Sequence, residues 1–169
     1  GKPLPQLAGK GFVRSEDNKT YTCTMNGKIE MKENRILISD VHEVHGDVGL
    51  KTGNIDFRGD VIIHGNVPTG AVIRATGSIT VDGTVEGAIL DAHKDIIIRG
   101  GMLGAGRGTV ITKGNLFVKF MEYSRVKAHG SVTTDSLINC KVSAYDKVYL
   151  RGKHASVVGG TIHAATGIE

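Results

Sequence analysis

Seven copies of one short unit run along this chain, each built on period-two alternation. The unit is small–x–apolar–x–Ala–x–Gly–x–apolar–x–apolar. Ala71, Ile73, Ala75, Gly77, Ile79 and Val81 make one copy, and Ser124, Val126, Ala128, Gly130, Val132 and Thr134 another. The first apolar position falls at Ile55, Ile73, Leu90, Val110, Val126, Val142 and Ile162, at intervals of 18, 17, 20, 16, 16 and 20 residues. Alternate side chains of a strand share a face, so each copy has an apolar side and a polar one. Arg74, Thr76, Ser78 and Thr80 in one copy, and Arg125, Lys127, His129 and Ser131 in another, suit the wet side. Such a repeat defines a β-solenoid, in which one copy is one coil and neighbours are needed to bury its apolar face. At a coil spacing of about 4.8 Å the stack is about 30 Å long. Variable intervals exclude a fixed-length hexapeptide coil, and parallel crossovers prefer the right hand. The expected fold is all-β: a single-stranded right-handed parallel β-helix of about six to seven coils.

The remaining positions refine this picture. The Ala column permits a tight corner, and Gly59, Gly77, Gly114 and Gly130 are expected to supply positive φ there. Lys94, Asp146 and Thr166 stand in place of that glycine, so their corners are expected to open to solvent. Cys140 shares the small column with Gly53, Ala71, Ala88, Gly108, Ser124 and Gly160, and reads as a packed small hydrophobe. Two cysteines that do not look paired favour a reducing, cytoplasmic compartment. Residues 1–45 follow another pattern. Tyr21, Cys23 and Met25 alternate with threonines, Asn26-Gly27 is a hairpin-turn signal, and Ile29, Met31, Ile36 and Ile38 mark further short strands. This segment is expected to form a small antiparallel β cap on the solenoid of residues 46–169, with Gly46–Leu50 an incomplete joining coil. The chain stops inside a repeat, so the parent protein is expected to continue.

Composition narrows the chemistry. The 21 basic residues give a net charge of only +4 and form no long run, and aromatics are 5% of the chain. A nucleic-acid groove would need clustered cations and stacking rings. No apolar stretch approaches the roughly 20 residues of a membrane-spanning helix. A glycosidase or lyase site needs converging carboxylates. Glu86 and Glu122 recur in register, but two coils apart, and read as solvated surface acids. His42 and His45 are three apart in a strand and should diverge, and His93 and His129 lie two coils apart, so no metal or other cofactor is expected. The run Gly100-Gly101 with Gly104, Gly106 and Gly108 precedes no helix and reads as a bulged corner instead of a phosphate loop. Met121 fits the inward position of Val85. Phe120, Tyr123, Tyr145 and Tyr149 are the candidate protein-contact residues, an aromatic patch on one flank.

The run Gly46-Asp47-Val48-Gly49-Leu50-Lys51-Thr52-Gly53-Asn54-Ile55-Asp56-Phe57-Arg58-Gly59-Asp60-Val61 is similar to the central segment of the bacterial flagellar assembly protein A family. Gly65-Asn66-Val67-Pro68 and Gly83-Thr84-Val85-Glu86-Gly87-Ala88 carry the same resemblance, as do Gly1-Lys2-Pro3, Gly9-Lys10-Gly11 and Ser15-Glu16-Asp17. The resemblance implies a central β-helix preceded by a small β domain, with helical segments beside it in full-length relatives. It implies a cytoplasmic, non-enzymatic scaffold in flagellar assembly or placement, whose partners are other proteins. Ala92-His93-Lys94-Asp95 and Ala144-Tyr145-Asp146-Lys147 depart from the family's paired glycines. The alternative is a bactofilin-like polymer of end-to-end stacked coils, against which the patterned segment 1–52 speaks.

Overall fold

The computed structural model describes residues 12–17, 19–24, 28–32 and 35–169. The chain divides into two compact units, Gly1–Val41 and His42–Glu169. In the first, Phe12–Arg14 pairs antiparallel with Tyr21–Cys23, and Lys28–Lys32 with Arg35–Ser39. Ile29 stands opposite Ile38 and Met31 opposite Ile36, so the two strands expected there pair antiparallel. The Asn26-Gly27 turn and Met25 lie outside the described residues.

The second unit is a parallel β-solenoid of about seven turns. One side stacks Ile55–Phe57, Val72–Ala75, Ile89–Ala92, the later halves of Met102–Thr112 and Phe120–Ala128, Lys141–Ala144 and Thr161–Ala164. A second side stacks Val41–Val44, Asp60–Ile63, Ile79–Val81, Ile96–Ile98, Leu116–Val118, Val132–Thr134, Lys147–Leu150 and Gly167–Ile168. The third begins as single bridges from Val67 to Val85 and Val85 to Met102. It widens into the ladder of Phe120–Glu122, Ser136–Ile138 and Ser156–Val158. Ile55, Ile73, Leu90, Val110, Val126, Val142 and Ile162 form one column, each opposite the next, so the repeat period is the ladder register.

Inward columns make the core. Val61, Ile79, Ile96, Leu116, Val132 and Val148 are buried on the second side, and Val48, Val67, Val85, Met102, Met121 and Leu137 on the third. Cys140 is buried as expected, its thiol donating to the Ile138 carbonyl at 3.4 Å. Three polar residues face inward, and each hydroxyl has a backbone acceptor: Thr112 the carbonyl of Lys94, Ser124 that of Glu122, Thr134 that of Ser136. That removes the penalty of an unpaired buried hydroxyl. Extra length is absorbed at corners. The ladder shifts between Leu103 and Gly108, where Ala105 and Gly106 take φ of 48° and 76°, so the glycine-rich run is the bulge its sequence suggests.

The corner glycines correct one expectation. Of the four expected to need positive φ, only Gly59 has it, at 145°. The other three are glycine for want of room. A Cβ would come 1.9 Å from Asp60 Oδ1 at Gly77, 2.3 Å from Asp95 Oδ1 at Gly114, and 2.3 Å from Asn115 Oδ1 at Gly130. Those oxygens are fixed by accepting a backbone N–H from the next coil: Asp60 from Ser78 (2.8 Å), Asp95 from Asn115 (2.7 Å), Asn115 from Ser131 (2.9 Å). Where the preceding coil carries serine there instead, the next coil is free of the restriction. Lys94 follows Ser78 and Asp146 follows Ser131, and both side chains are exposed.

Leu90→Ala should cost about 2–5 kcal/mol in urea unfolding, while Ile89→Ala, 38% exposed on the opposite face, should stay within about 1 kcal/mol. Equal losses would contradict the alternation. Gly130→Ala should cost about 1–3 kcal/mol by overpacking, and adding Asn115→Ser should recover part of that. Strict additivity of the pair would show that the Asn115 side chain is not what excludes a Cβ.

Candidate functional site

In a parallel stack, side chains at one outward position of successive coils stand a strand spacing apart, about 4.8 Å. One such column carries chemistry. It follows the second-side strands through His45, His64, Asp82 and Arg99. The ladder aligns it: His64 N–H donates to the Val44 carbonyl, Asp82 N–H to Ile63, and Arg99 N–H to Val81, each at 2.9 Å. The rings of His45 and His64 stack with centroids 5.5 Å apart and planes 16° from parallel. His64 Nε2 lies 2.6 Å from Glu43 Oε1, and its Nδ1 lies 2.9 Å from Asp82 Oδ2. Arg99 Nη1 in turn sits 3.3 Å from Asp82 Oδ1. The hydrogen bond to Glu43, then that to Asp82, holds the His64 imidazole above its ordinary pKa, because both carboxylates favour the cation. Glu43, His45 and His64 each offer a ligand atom, all within 4.8 Å of one another, so these three could hold a metal ion.

Sequence reasoning missed this cluster, although a signal for it exists. Val44-His45-Gly46-Asp47-Val48 repeats as Ile63-His64-Gly65-Asn66-Val67 one coil on. The two histidines are thus equivalent positions of adjacent coils. His42 and His45 do diverge: His42 tilts against Phe57, with ring centroids 5.3 Å apart, while His45 faces His64.

The four aromatic positions do not share one flank. Phe120 starts the third-side strand, its ring lying where a Cβ on Gly101 of the preceding coil would be, 2.4 Å from Cε1. Tyr123 ends that side with φ of 47° and is 51% exposed. Tyr145 sits at the corner between the first and second sides, 57% exposed and stacked on His129 at 4.8 Å. Tyr149 lies in the second-side strand Lys147–Leu150, its ring 4.8 Å from the Arg151 guanidinium. Among the described residues no ring contact joins any two of the four. Met121 lies inward in the column of Met102 and Val85, as its spacing predicted.

The acids behave similarly. Glu122 pairs across to Leu103, the outward neighbour of Met102, and Glu86 is one coil further, hydrogen-bonded by Thr69 at 3.3 Å. An open cleft of about 380 Å³ beside Phe120 is lined by Glu122, Asp135, Lys119, Lys153 and His154.

The second unit is thus a β-solenoid domain whose charged groups stand on outer columns around a largely aliphatic core. The chain belongs to the flagellar assembly protein A family: the profile described as Flagellar Assembly Protein A beta solenoid domain matches residues 40–169. No curated protein and no solved structure matches the chain. Among the described residues no helix is long and apolar enough to cross a membrane.

The histidine column gives a titration prediction. His64 should titrate above the ordinary imidazole value by NMR, with Glu43→Gln lowering the midpoint more than Asp82→Asn. Since the folded value is raised, the cluster's stabilisation is complete below the ordinary value and fades as pH rises through the raised one. A midpoint unmoved by Glu43→Gln would show that the 2.6 Å contact does not persist in solution.

Proposed function

We propose that this chain is a non-enzymatic scaffold for bacterial flagellar assembly or placement, acting in the cytoplasm by holding other proteins on its flanks. The family match over residues 40–169 carries this reading. The solenoid supports it, since its interior is filled by aliphatic columns and its outer sides offer long surfaces of fixed spacing. Tyr123 and Tyr145, the most exposed of the four aromatic candidates, contact partners from separate corners, so that two surfaces engage instead of one patch. Phe120 and Tyr149 contribute at the margins of those surfaces. Exposed tyrosines suit this role because each offers a large apolar area and a hydrogen-bonding hydroxyl at small entropic cost.

Deleting the gene in a flagellated host tests the reading. Flagella should be lost, reduced in number or misplaced, and the intact chain should restore them; unaltered flagellation would refute the role. Tyr123→Ala with Tyr145→Ala should leave the unfolding midpoint nearly unchanged and lower restored motility several-fold. Full restoration by that variant would remove the two rings from the contact surface and leave the flagellar role standing.

A further inference from the structure

We propose that Glu43, His45 and His64 bind one divalent transition-metal ion, of which zinc is the reference, with Asp82 orienting the His64 ring. Glu43 and His45 come from one coil and His64 from the next, and their ligand atoms lie within 4.8 Å of one another. In a tetrahedral site with metal–ligand bonds of about 2.0–2.1 Å, ligand atoms are about 3.4 Å apart. All three side chains are exposed on outward positions, so side-chain rotation is the movement that would close the remaining gap.

The hydrogen bonding around His64 matches the pattern of a metal-binding imidazole. A metal-bound imidazole usually presents one nitrogen to the ion and donates its other N–H to a carboxylate, which fixes the ring and raises its basicity. His64 has that arrangement: Nδ1 meets Asp82 at 2.9 Å, and Asp82 is anchored on its far oxygen by Arg99 at 3.3 Å. The other nitrogen, Nε2, shares a hydrogen with Glu43 at 2.6 Å. An ion entering between them takes the place of that hydrogen, which leaves to solvent as a proton while Nε2 and Glu43 Oε1 become ligands. His45, stacked parallel to His64, supplies the second imidazole. Two imidazoles and one carboxylate suit zinc, cobalt, nickel or copper, and do not suit calcium or magnesium, which take oxygen ligands. Water completes the coordination on the exposed side.

Titration of zinc chloride into the full chain by calorimetry tests this. One ion should bind per chain, with displacement of the His45 and His64 ring resonances in NMR spectra. His45→Ala, His64→Ala and Glu43→Gln should each weaken binding at least about tenfold, and Asp82→Asn about 10–100-fold through loss of orientation. His93→Ala, in another column, should leave binding unchanged. His64→Gln, of similar size, guards against a folding defect and should also weaken it. No binding, binding retained by the His45 and His64 variants, or binding lost with His93→Ala would each overturn the proposal.

Discussion

Hydrogen bonds from each strand to the coils before and after it hold this solenoid together. Each strand of the three sides pairs only with its counterparts one coil before and one coil after. A coil slipped by one residue would turn its apolar set to water and its polar set to the core. The vertical register from Ile55 to Ile162 is therefore the condition on which burial of every other column depends. Two inward positions on the first side, two on the second and one on the third must agree in every coil. This is why Val, Ile, Leu and Ala fill them, and why the few inward polar residues are short hydroxyls able to reach a backbone carbonyl.

The same constraint pushes all freedom into corners. Coils differ in length, yet register is regained at each strand because surplus residues leave the ladder at a turn, as between Leu103 and Gly108. Corners are also where successive coils lock. Asp60, Asp95 and Asn115 on the first corner, and Asp47 and Asn66 on the second, each reach forward to a backbone N–H of the next coil. Their side chains occupy the space above, and glycine follows: Gly77, Gly114, Gly130, Gly65 and Gly83 all stand over such an oxygen. The pairing of an acid or amide in one coil with glycine in the next is a steric rule, and backbone strain plays no part in it.

Much of this was legible because strand periodicity and coil stacking are both linear in sequence. The first apolar column, the small column with Cys140, the inward place of Met121 and the bulge at Gly104–Gly108 follow from spacing alone. Neighbour relations across coils were harder. The steric role of Gly77 depends on Asp60, which is distant in sequence and whose rotamer no pattern reveals. Phe120, Tyr123, Tyr145 and Tyr149 look close because corners and sides are not marked in the chain, whereas the third side and two different corners lie among them. The histidine cluster stayed hidden for a related reason. Val41–Val44 precedes the seven clear copies, so the match of His45 to His64 shows only when the repeat is extended one coil further back.

That ladder also explains why the outer columns are where chemistry can accumulate. An inward column admits few residue types, but an outward one sets side chains of adjacent coils about 4.8 Å apart at the backbone, close enough for their polar ends to meet. A single substitution thus creates contacts with both neighbours at once. His64 shows the consequence, bonded upward to Asp82 and downward to Glu43 while stacked on His45. His129 under Tyr145, and Ser131 under Asp146 at 2.6 Å, are further vertical pairs of the same kind. Function on such a surface is written along columns that cross the chain direction. Residues that act together include neighbours one coil apart in sequence and adjacent in space, which makes the coil length a natural interval at which to search for them.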